Sequence, residues 1–384
     1  MWHLKKIQAD KAWDITKGDS SVKIAVIDTW VDIEHPDLIN KVYPKFDPYD
    51  STLYSSDCGH SPHGTTVASF VAAETDGGGE LSAIGFNCMM IFYQAFNGNY
   101  IEKAHHASLA MNADVLTSSA GGWTCSSDID EYEKIAVKEI LDNGTVIVMP
   151  AGNGDSGVHC KYNGRHRAFK PLSSEYDDRI ILVSSTNKDD NHTFIQNGID
   201  KTHSHYDEVD ICAPGYETMG AIPTKKYESL HNCISVWPYF GNCIGTSFSS
   251  PIVAGVCGLI KSINKDYTPG EIEYFIKSTA DVINDCDNYP NGVGSGRINA
   301  YKAIQLADNC QPSEIYNTTV WENDTSIVCG FIVKNNATLT LKGKVKVSNK
   351  CNIIVEPGGK LILDGTLLTS LDNTMWQGIQ VLGR

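Results

Sequence analysis

Ser247 is the serine whose position in the sequence best suits a catalytic nucleophile. Ser247 lies in residues 245–251, Gly-Thr-Ser-Phe-Ser-Ser-Pro, directly before the apolar stretch 252–263, which predicts a helix. Because proline is tolerated in the first turn of a helix, Ser247 is predicted at or near the helix N-terminus. The free N–H groups and the dipole there favour an attacking alkoxide and the oxyanion that follows. Serine is also a common helix cap, so this residue alone does not identify a catalytic site.

A serine hydroxyl is a poor nucleophile and needs an adjacent base. His63 suits that role, because it lies in residues 61–68, Ser-Pro-His-Gly-Thr-Thr-Val-Ala, at the predicted start of another helix. Gly64 would let a neighbouring backbone segment approach closely. His60 and His35 are the nearest rivals, and His35 precedes a proline in a loop, which indicates a packing or turn residue.

Two further polar residues follow predicted buried strands. Asp28 directly ends the β-branched run 22–27, and Asn153 lies in residues 150–154, Pro-Ala-Gly-Asn-Gly. An aspartate could orient the imidazole, and an asparagine could donate a side-chain N–H to an oxyanion. Each also has an ordinary interpretation as a turn residue. Asp32 and Asp37 are alternatives to Asp28, but neither directly ends the strand.

These residues need a scaffold, and the hydrophobic pattern predicts one. Besides 22–27, strands are predicted at 115–118, 146–149 and 180–184, and helices at 64–73, 101–112 and 130–142. Strands that alternate with helices predict an α/β fold, a doubly wound and mainly parallel sheet with helices on both faces. In such folds the functional groups collect outside the carboxyl ends of the strands, where Asp28 and Asn153 are predicted.

The motifs occur together in one order along the chain, Asp, His, Asn, Ser. With them the chain resembles the subtilases, the subtilisin-like serine peptidases, over about residues 1–307. The matching stretches are Ala-Val-Ile-Asp-Thr at 25–29, His-Pro-Asp-Leu at 35–38, His-Gly-Thr at 63–65, Ala-Gly-Asn-Gly at 151–154, Cys-Ala-Pro-Gly at 212–215 and Gly-Thr-Ser at 245–247.

The resemblance implies a catalytic triad of Asp28, His63 and Ser247, with Asn153 in the oxyanion hole. It also implies an edge strand that pairs with an extended polypeptide substrate. The residues of that strand are Ser118, Ser119, Ala120, Gly121 and Gly122. No cofactor is expected. A structural Ca²⁺ is compatible with the family, but no Asp-x-Asp-x-Asp-Gly loop is present from which to assign metal ligands.

The charge and the hydropathy exclude other classes of protein. The net charge of -15 comes from the residues before 306, because residues 306–384 hold seven Lys or Arg and seven Asp or Glu. So acidic a region argues against a nucleic-acid partner. No apolar run approaches the roughly 18 residues of a membrane span, so none is expected. The chain starts without a secretory signal, and any signal or pro-segment is expected outside this sequence.

The twelve cysteines contain no C-x-x-C pair. An even number without metal-site spacing favours disulfides in an oxidising compartment, and hence a secreted or cell-surface protein. Cys233 is expected to pair with Cys243, and Cys329 with Cys351. Some of the others, Cys212 and Cys257 among them, could equally be buried free thiols.

A repeat marks the C-terminal part of the chain. Residues 333–341 align with 355–363 at an offset of 22, and the offset continues through Gly343 and Gly365 and through Val345 and Leu367. This pattern predicts a small solenoid of stacked short strands, although two hairpins of similar sequence are an alternative. The expected domains are a peptidase domain at 1–311 and a β-repeat module, similar to a parallel β-helix, at 312–384.

The sequence therefore favours a serine endopeptidase that forms an acyl-enzyme on Ser247. Two other functions stay open at this stage. One is a weak or inactive protein that keeps the subtilase fold for binding or adhesion. The other is an esterase or acyl transferase that uses the same triad, because the acyl-enzyme chemistry is shared.

Overall fold

The structure is a computed structural model. It describes residues 1–49, 51, 54, 63–77, 79–95, 99–119, 131–154, 179–224, 233–237, 240–372 and 375–383, and for 233–237 it describes only the backbone. The chain divides into two compact units, residues 1–305 and residues 306–384. Each is described by itself below.

A parallel sheet forms the centre of the first unit. The strands of this unit are β1 (Lys23–Asp28), β2 (Met89–Gln94), β3 (Val115–Ser118), β4 (Val146–Pro150), β5 (Ile180–Thr186), β6 (Phe194–Gln196), β7 (Ile199–Lys201), β8 (Ile211–Pro214), β9 (Thr218–Ala221), β10 (Cys233–Trp237) and β11 (Phe240–Cys243). Six of them form the sheet in the order β2-β1-β3-β4-β5-β8, and every neighbouring pair is parallel. Because β1 and β3 to β5 are almost wholly buried, they require cover on both faces.

Helices supply that cover. They are α1 (Trp2–Lys6), α2 (Ala9–Ile15), α3 (His63–Ala72), α4 (Tyr100–Leu109), α5 (Glu131–Asp142), α6 (Thr246–Ile263), α7 (Pro269–Ser278) and α8 (Ala300–Asp308). The apolar sides of α4 and α5 pack with β1, β3 and β4 in one hydrophobic cluster. The buried helices α3 and α6 pack against each other and the sheet. The predicted doubly wound α/β fold is therefore confirmed.

Helix α6 begins earlier than the sequence predicts, at Thr246 instead of Ile252. Pro251 consequently lies inside the helix, where its missing N–H leaves the Ser247 carbonyl without a helical donor. The hydroxyl of Ser119 donates to that carbonyl at 3.0 Å and replaces the lost bond. By length and composition α6 could span a membrane, but 89% of it is buried inside the fold, as in a core helix.

The segment before α6 forms a small antiparallel sheet in the order β10-β11-β9. Cys233 lies directly opposite Cys243 in this sheet, and Cys243 is disulfide-bonded. The Cys233 side chain lies outside the described part of the chain, so the Cys233–Cys243 pairing stays a prediction. A separate hairpin of β6 and β7 precedes β8.

The second unit consists of stacked short strands. They are β12 (Ser313–Ile315), β13 (Thr319–Trp321), β14 (Thr325–Ile327), β15 (Phe331–Val333), β16 (Thr338–Leu341), β17 (Lys344–Val347), β18 (Ile353–Val355), β19 (Lys360–Leu363), β20 (Leu367–Ser370) and β21 (Ile379–Val381). They form three sheets, β12-β15-β18-β21, β13-β16-β19 and β14-β17-β20. Neighbouring strands are parallel, which excludes the two-hairpin alternative because hairpins pair antiparallel.

Two details of this unit differ from the prediction. Val345 pairs with Leu368 instead of Leu367, and Leu367 is 59% exposed. The reason is that the corner between β19 and β20 is one residue longer than the equivalent corner between β16 and β17 in the preceding rung. Cys329 is bonded to Cys310 and not to Cys351. The first rung is shorter than the 22-residue repeat, so the cysteine that stacks beside Cys329 lies 19 residues before it.

Candidate active site

Asp28 and His63 meet at the carboxyl end of the central sheet. Asp28 is the last residue of β1 and is fully buried, and His63 is the first residue of α3. The His63 Nδ1 atom lies 2.8 Å from Asp28 Oδ1, which also accepts from the Thr29 N–H at 2.7 Å. Because a carboxylate can only accept, the proton of a neutral His63 is on Nδ1 and Nε2 is left as a base.

Gly64 makes this approach possible. A Cβ atom at position 64 would lie 2.5 Å from the Trp30 carbonyl oxygen and 3.1 Å from the Asp28 Cβ atom. The first of these distances is shorter than side-chain atoms tolerate, so any larger residue would push α3 away from the end of β1. The close backbone approach expected of Gly64 is present.

Ser247 lies in the first turn of α6 and is 3% exposed. The ring of the next residue, Phe248, lies 5.4 Å from the His63 ring between centroids, so the base and the serine belong to one local cluster. Within the described residues, no hydrogen bond joins the Ser247 hydroxyl to His63. Catalytic hydrogen bonds are often long in unliganded enzymes and tighten when substrate binds, so this geometry is compatible with a serine–histidine pair.

Asn153 is oriented by the residue before Ser247. Its Oδ1 atom accepts from the backbone N–H of Thr246 at 2.8 Å and from the Thr246 hydroxyl at 3.0 Å. The Thr246 hydroxyl in turn accepts from the Gly152 N–H at 3.1 Å. Since a backbone N–H can only donate, the bonded atom of Asn153 must be oxygen, and the amide Nδ2 is left to donate elsewhere.

The sequence alone assigns no role to two residues of this arrangement, Gly245 and Thr246. Thr246 is fully buried and links the Asn153 loop to α6, and Gly245 has a φ of 148°, a conformation that favours glycine. A Cβ atom on Gly245 would lie 3.3 Å from Asn153 Nδ2. The only signal in the sequence is their position beside Ser247 in Gly-Thr-Ser.

The expected substrate strand is only partly described. Ser118 ends β3, which lies between β1 and β4 in the sheet. It pairs with Ile27 of β1, whereas β4 pairs only with residues 115–117 of β3. The role of Ser118 in pairing with a substrate stays a prediction. Ser119 is buried and bonds to α6, as described above. Ala120, Gly121 and Gly122 lie outside the described residues.

The alternative residues have other partners. His35 is fully buried, and its Nδ1 atom accepts from the Asp37 N–H at 3.1 Å, as expected of a turn residue. Asp32 accepts from the N–H and hydroxyl of Thr224 at 2.9 and 2.7 Å. Asp37 accepts from the Leu81 N–H at 3.0 Å. His60 lies outside the described residues. In the part of the chain that is described, no group of three or more His, Cys, Asp or Glu residues is arranged to hold a metal ion.

Comparison with known proteins identifies the family. Residues 19–309 match the model of the subtilase family. Thermitase from Thermoactinomyces vulgaris is 31% identical over 306 residues, which cover 78% of this chain and 94% of thermitase. A thermophilic serine proteinase from Bacillus sp. (strain AK1) is also 31% identical, over 77% of this chain and 64% of that protein.

The fold agrees with this assignment. The crystal structure of fervidolysin from Fervidobacterium pennivorans, a keratinolytic enzyme related to subtilisin, superposes with a TM-score of 0.63 over 84% of this chain and 48% of that one, at 21% identity. The family predicted from the sequence motifs is confirmed, and the chain belongs to the subtilase family of serine peptidases.

Proposed function

We propose that the protein is a serine endopeptidase that cleaves polypeptides through an acyl-enzyme on Ser247. The Ser247 hydroxyl attacks the scissile carbonyl while His63 Nε2 takes its proton. Asp28 stabilises the imidazolium that forms, and the Asn153 amide and the Ser247 N–H donate to the oxyanion. His63 then gives its proton to the leaving amine, and water enters by the reverse sequence to release the acyl group. No cofactor is needed, because side chains and water carry every proton.

One observation supports the proposal above the others, the Asp28–His63 contact of 2.8 Å. It joins two residues 35 positions apart in the chain, at the end of the sheet that also leads to Asn153. A binding protein that had lost activity would have no need of this pair. Nothing in the described residues or in the relatives favours that alternative, or an esterase.

The oxyanion assignment predicts a loss of turnover in Asn153→Leu. Removing one such donor costs about a hundredfold to a thousandfold in kcat, because the donor acts mainly in the transition state. We expect KM for a short peptide to stay nearly unchanged, and steady-state kinetics measure both constants.

Asn153→Asp is the matched variant, because it keeps an oxygen acceptor for Thr246 and replaces the amide donor with a carboxylate oxygen, whose charge also repels the oxyanion. It should lose at least as much turnover as Asn153→Leu. If Asn153→Asp kept wild-type turnover while Asn153→Leu lost it, Asn153 would act by holding Thr246 and not as an oxyanion donor.

We further propose that residues 312–384 form a module that the reaction does not require. The proposed catalytic residues all precede residue 306, and the second unit has its own apolar core. A chain that ends after Asn309 keeps α8 complete and should cleave a short peptide at the wild-type rate, with a lower melting temperature as the largest change. Loss of cleavage in a truncated chain with native circular dichroism would contradict this domain division.

The setting we propose is extracellular. The Cys310–Cys329 bond and the disulfide-bonded Cys243 support it, because such bonds persist in oxidising compartments. Within the described residues, Cys212 and Cys257 are buried and form no disulfide. This agrees with the alternative that these two cysteines are buried free thiols. Partners other than the polypeptide substrate are not required by the proposed chemistry.

A further inference from the structure

The loop that carries Asn153, residues 151–154, is held by two elements of the fold. Thr246 of α6 bonds to it from one side, as described above. Residues 203–206, His-Ser-His-Tyr, bond to it from another and are here named the 203–206 segment. This segment follows β7 and leads towards β8, and nothing in the proposed chemistry uses it.

Three hydrogen bonds join the 203–206 segment to the loop. The Ser204 N–H donates to the Gly152 carbonyl at 3.1 Å, and the Gly154 N–H donates to the Ser204 hydroxyl at 3.1 Å. The Tyr206 hydroxyl donates to the Ala151 carbonyl at 3.2 Å. The bonded residues lie on both sides of Asn153, so the 203–206 segment fixes the backbone from which the Asn153 side chain extends.

The 203–206 segment is itself anchored to the sheet. The Ser184 hydroxyl, at the end of β5, donates to the Ser204 carbonyl at 2.7 Å, and the Ser185 hydroxyl bonds to His203 Nδ1. His192 Nδ1 lies 2.9 Å from the Ser185 carbonyl oxygen. All five of these residues are at most 4% exposed. The loop is thus tied through buried groups to the strand beside its own.

Burial also favours the uncharged form of two groups in this region, the His192 ring and the Tyr206 hydroxyl. It lowers the pKa of His192, whose ring therefore stays neutral, and it raises the pKa of Tyr206, whose hydroxyl therefore stays a donor. Nearby charged groups, Asp285 beside His192 and Asp210 and Glu208 beside Tyr206, change these shifts less than burial does.

We propose that Ser204 is a positioning residue for Asn153, which holds the loop so that the amide reaches the oxyanion. The inference rests on the proposed function of Asn153. Thr246 fixes the oxygen of the Asn153 amide, but the direction of its nitrogen also depends on the backbone at Gly152 and Gly154. An oxyanion donor acts over a narrow range of distance, so a small movement of this backbone weakens it.

A double-mutant cycle tests the proposal. Ser204→Ala, measured with a short peptide, should lower kcat about tenfold, the equivalent of one hydrogen bond near the upper end of its usual range. KM should change less than twofold. In the Asn153→Leu background the same substitution should change kcat less than twofold, because the donor that it positions is already gone.

Ser262→Ala is the matched control, since the Ser262 hydroxyl also accepts from a backbone N–H at 3.1 Å, that of Asp19, far along α6 from Ser247. It should leave kcat unchanged.

Equal losses from Ser204→Ala in both backgrounds, or no loss in a folded variant, would overturn the proposal. If Ser204→Ala does not fold, Tyr206→Phe in the same cycle decides by the same criteria. A wild-type kcat for Asn153→Leu alone would instead refute the oxyanion role of Asn153.

Discussion

Ser247→Ala is expected to abolish peptide hydrolysis while the protein keeps its fold. Removing the nucleophile of a serine peptidase triad lowers kcat about a millionfold, because His63 and Asp28 have no function in acyl transfer without it. The residual rate would come from substrate binding and the oxyanion donors. Turnover of a denatured protein substrate and of a short peptide measures the loss.

The fold should survive because the Ser247 hydroxyl makes no hydrogen bond to any residue that the structure describes, so its removal leaves no partner unsatisfied. Circular dichroism and thermal unfolding should match the wild type. Ser262→Ala serves again as the control, on the same helix and away from the site. Wild-type turnover by Ser247→Ala would show that another residue is the nucleophile.

The second large effect is expected for Asp28→Ala, which should lower kcat by about 10⁴. The substitution removes the acceptor that holds the His63 proton on Nδ1 and the charge that stabilises the imidazolium. It also leaves the Thr29 N–H without its acceptor at 2.7 Å, so some loss of stability is expected as well. Kinetics below the melting temperature separate the two effects.

Asp32→Ala is the matched variant for this experiment, because Asp32 is also buried and lies in the loop after β1. Its carboxylate bonds to Thr224 and Glu34 and not to His63. It should lose stability but far less turnover. A larger loss of turnover from Asp32→Ala than from Asp28→Ala would contradict this assignment and show that Asp32 orients His63.

Much of the scaffold follows from local sequence. Buried parallel strands are short, nearly continuous apolar runs rich in β-branched residues, so the sequence predicts β1, β3, β4 and β5 to within two residues of their ends. The repeat likewise predicted parallel stacking, because each copy presents one apolar face. The start of α6 is not predictable in this way. A proline is typical of the first turn of a helix, and only the bond from the Ser119 hydroxyl to the Ser247 carbonyl explains why Pro251 can lie further inside.

The site was predictable only in part, for a similar reason. The sequence motifs, taken together as the pattern of a known family, predict four residues of the candidate site: Asp28, His63, Asn153 and Ser247. Thr246 and Ser204 gain their roles from partners about 50 to 90 residues away, and a single sequence carries no record of such contacts. Cys310 was missed because the first rung departs from the 22-residue period.

Labelling by an active-site sulfonyl fluoride tests the central assignment most directly. The wild-type protein should take up one sulfonyl group per chain, and peptide mass spectrometry should find it on Ser247. The His63→Ala variant should react far more slowly, because the serine then lacks its base. A label on another residue, or a folded and unlabelled protein that still hydrolyses peptides, would contradict the assignment of Ser247 as the nucleophile.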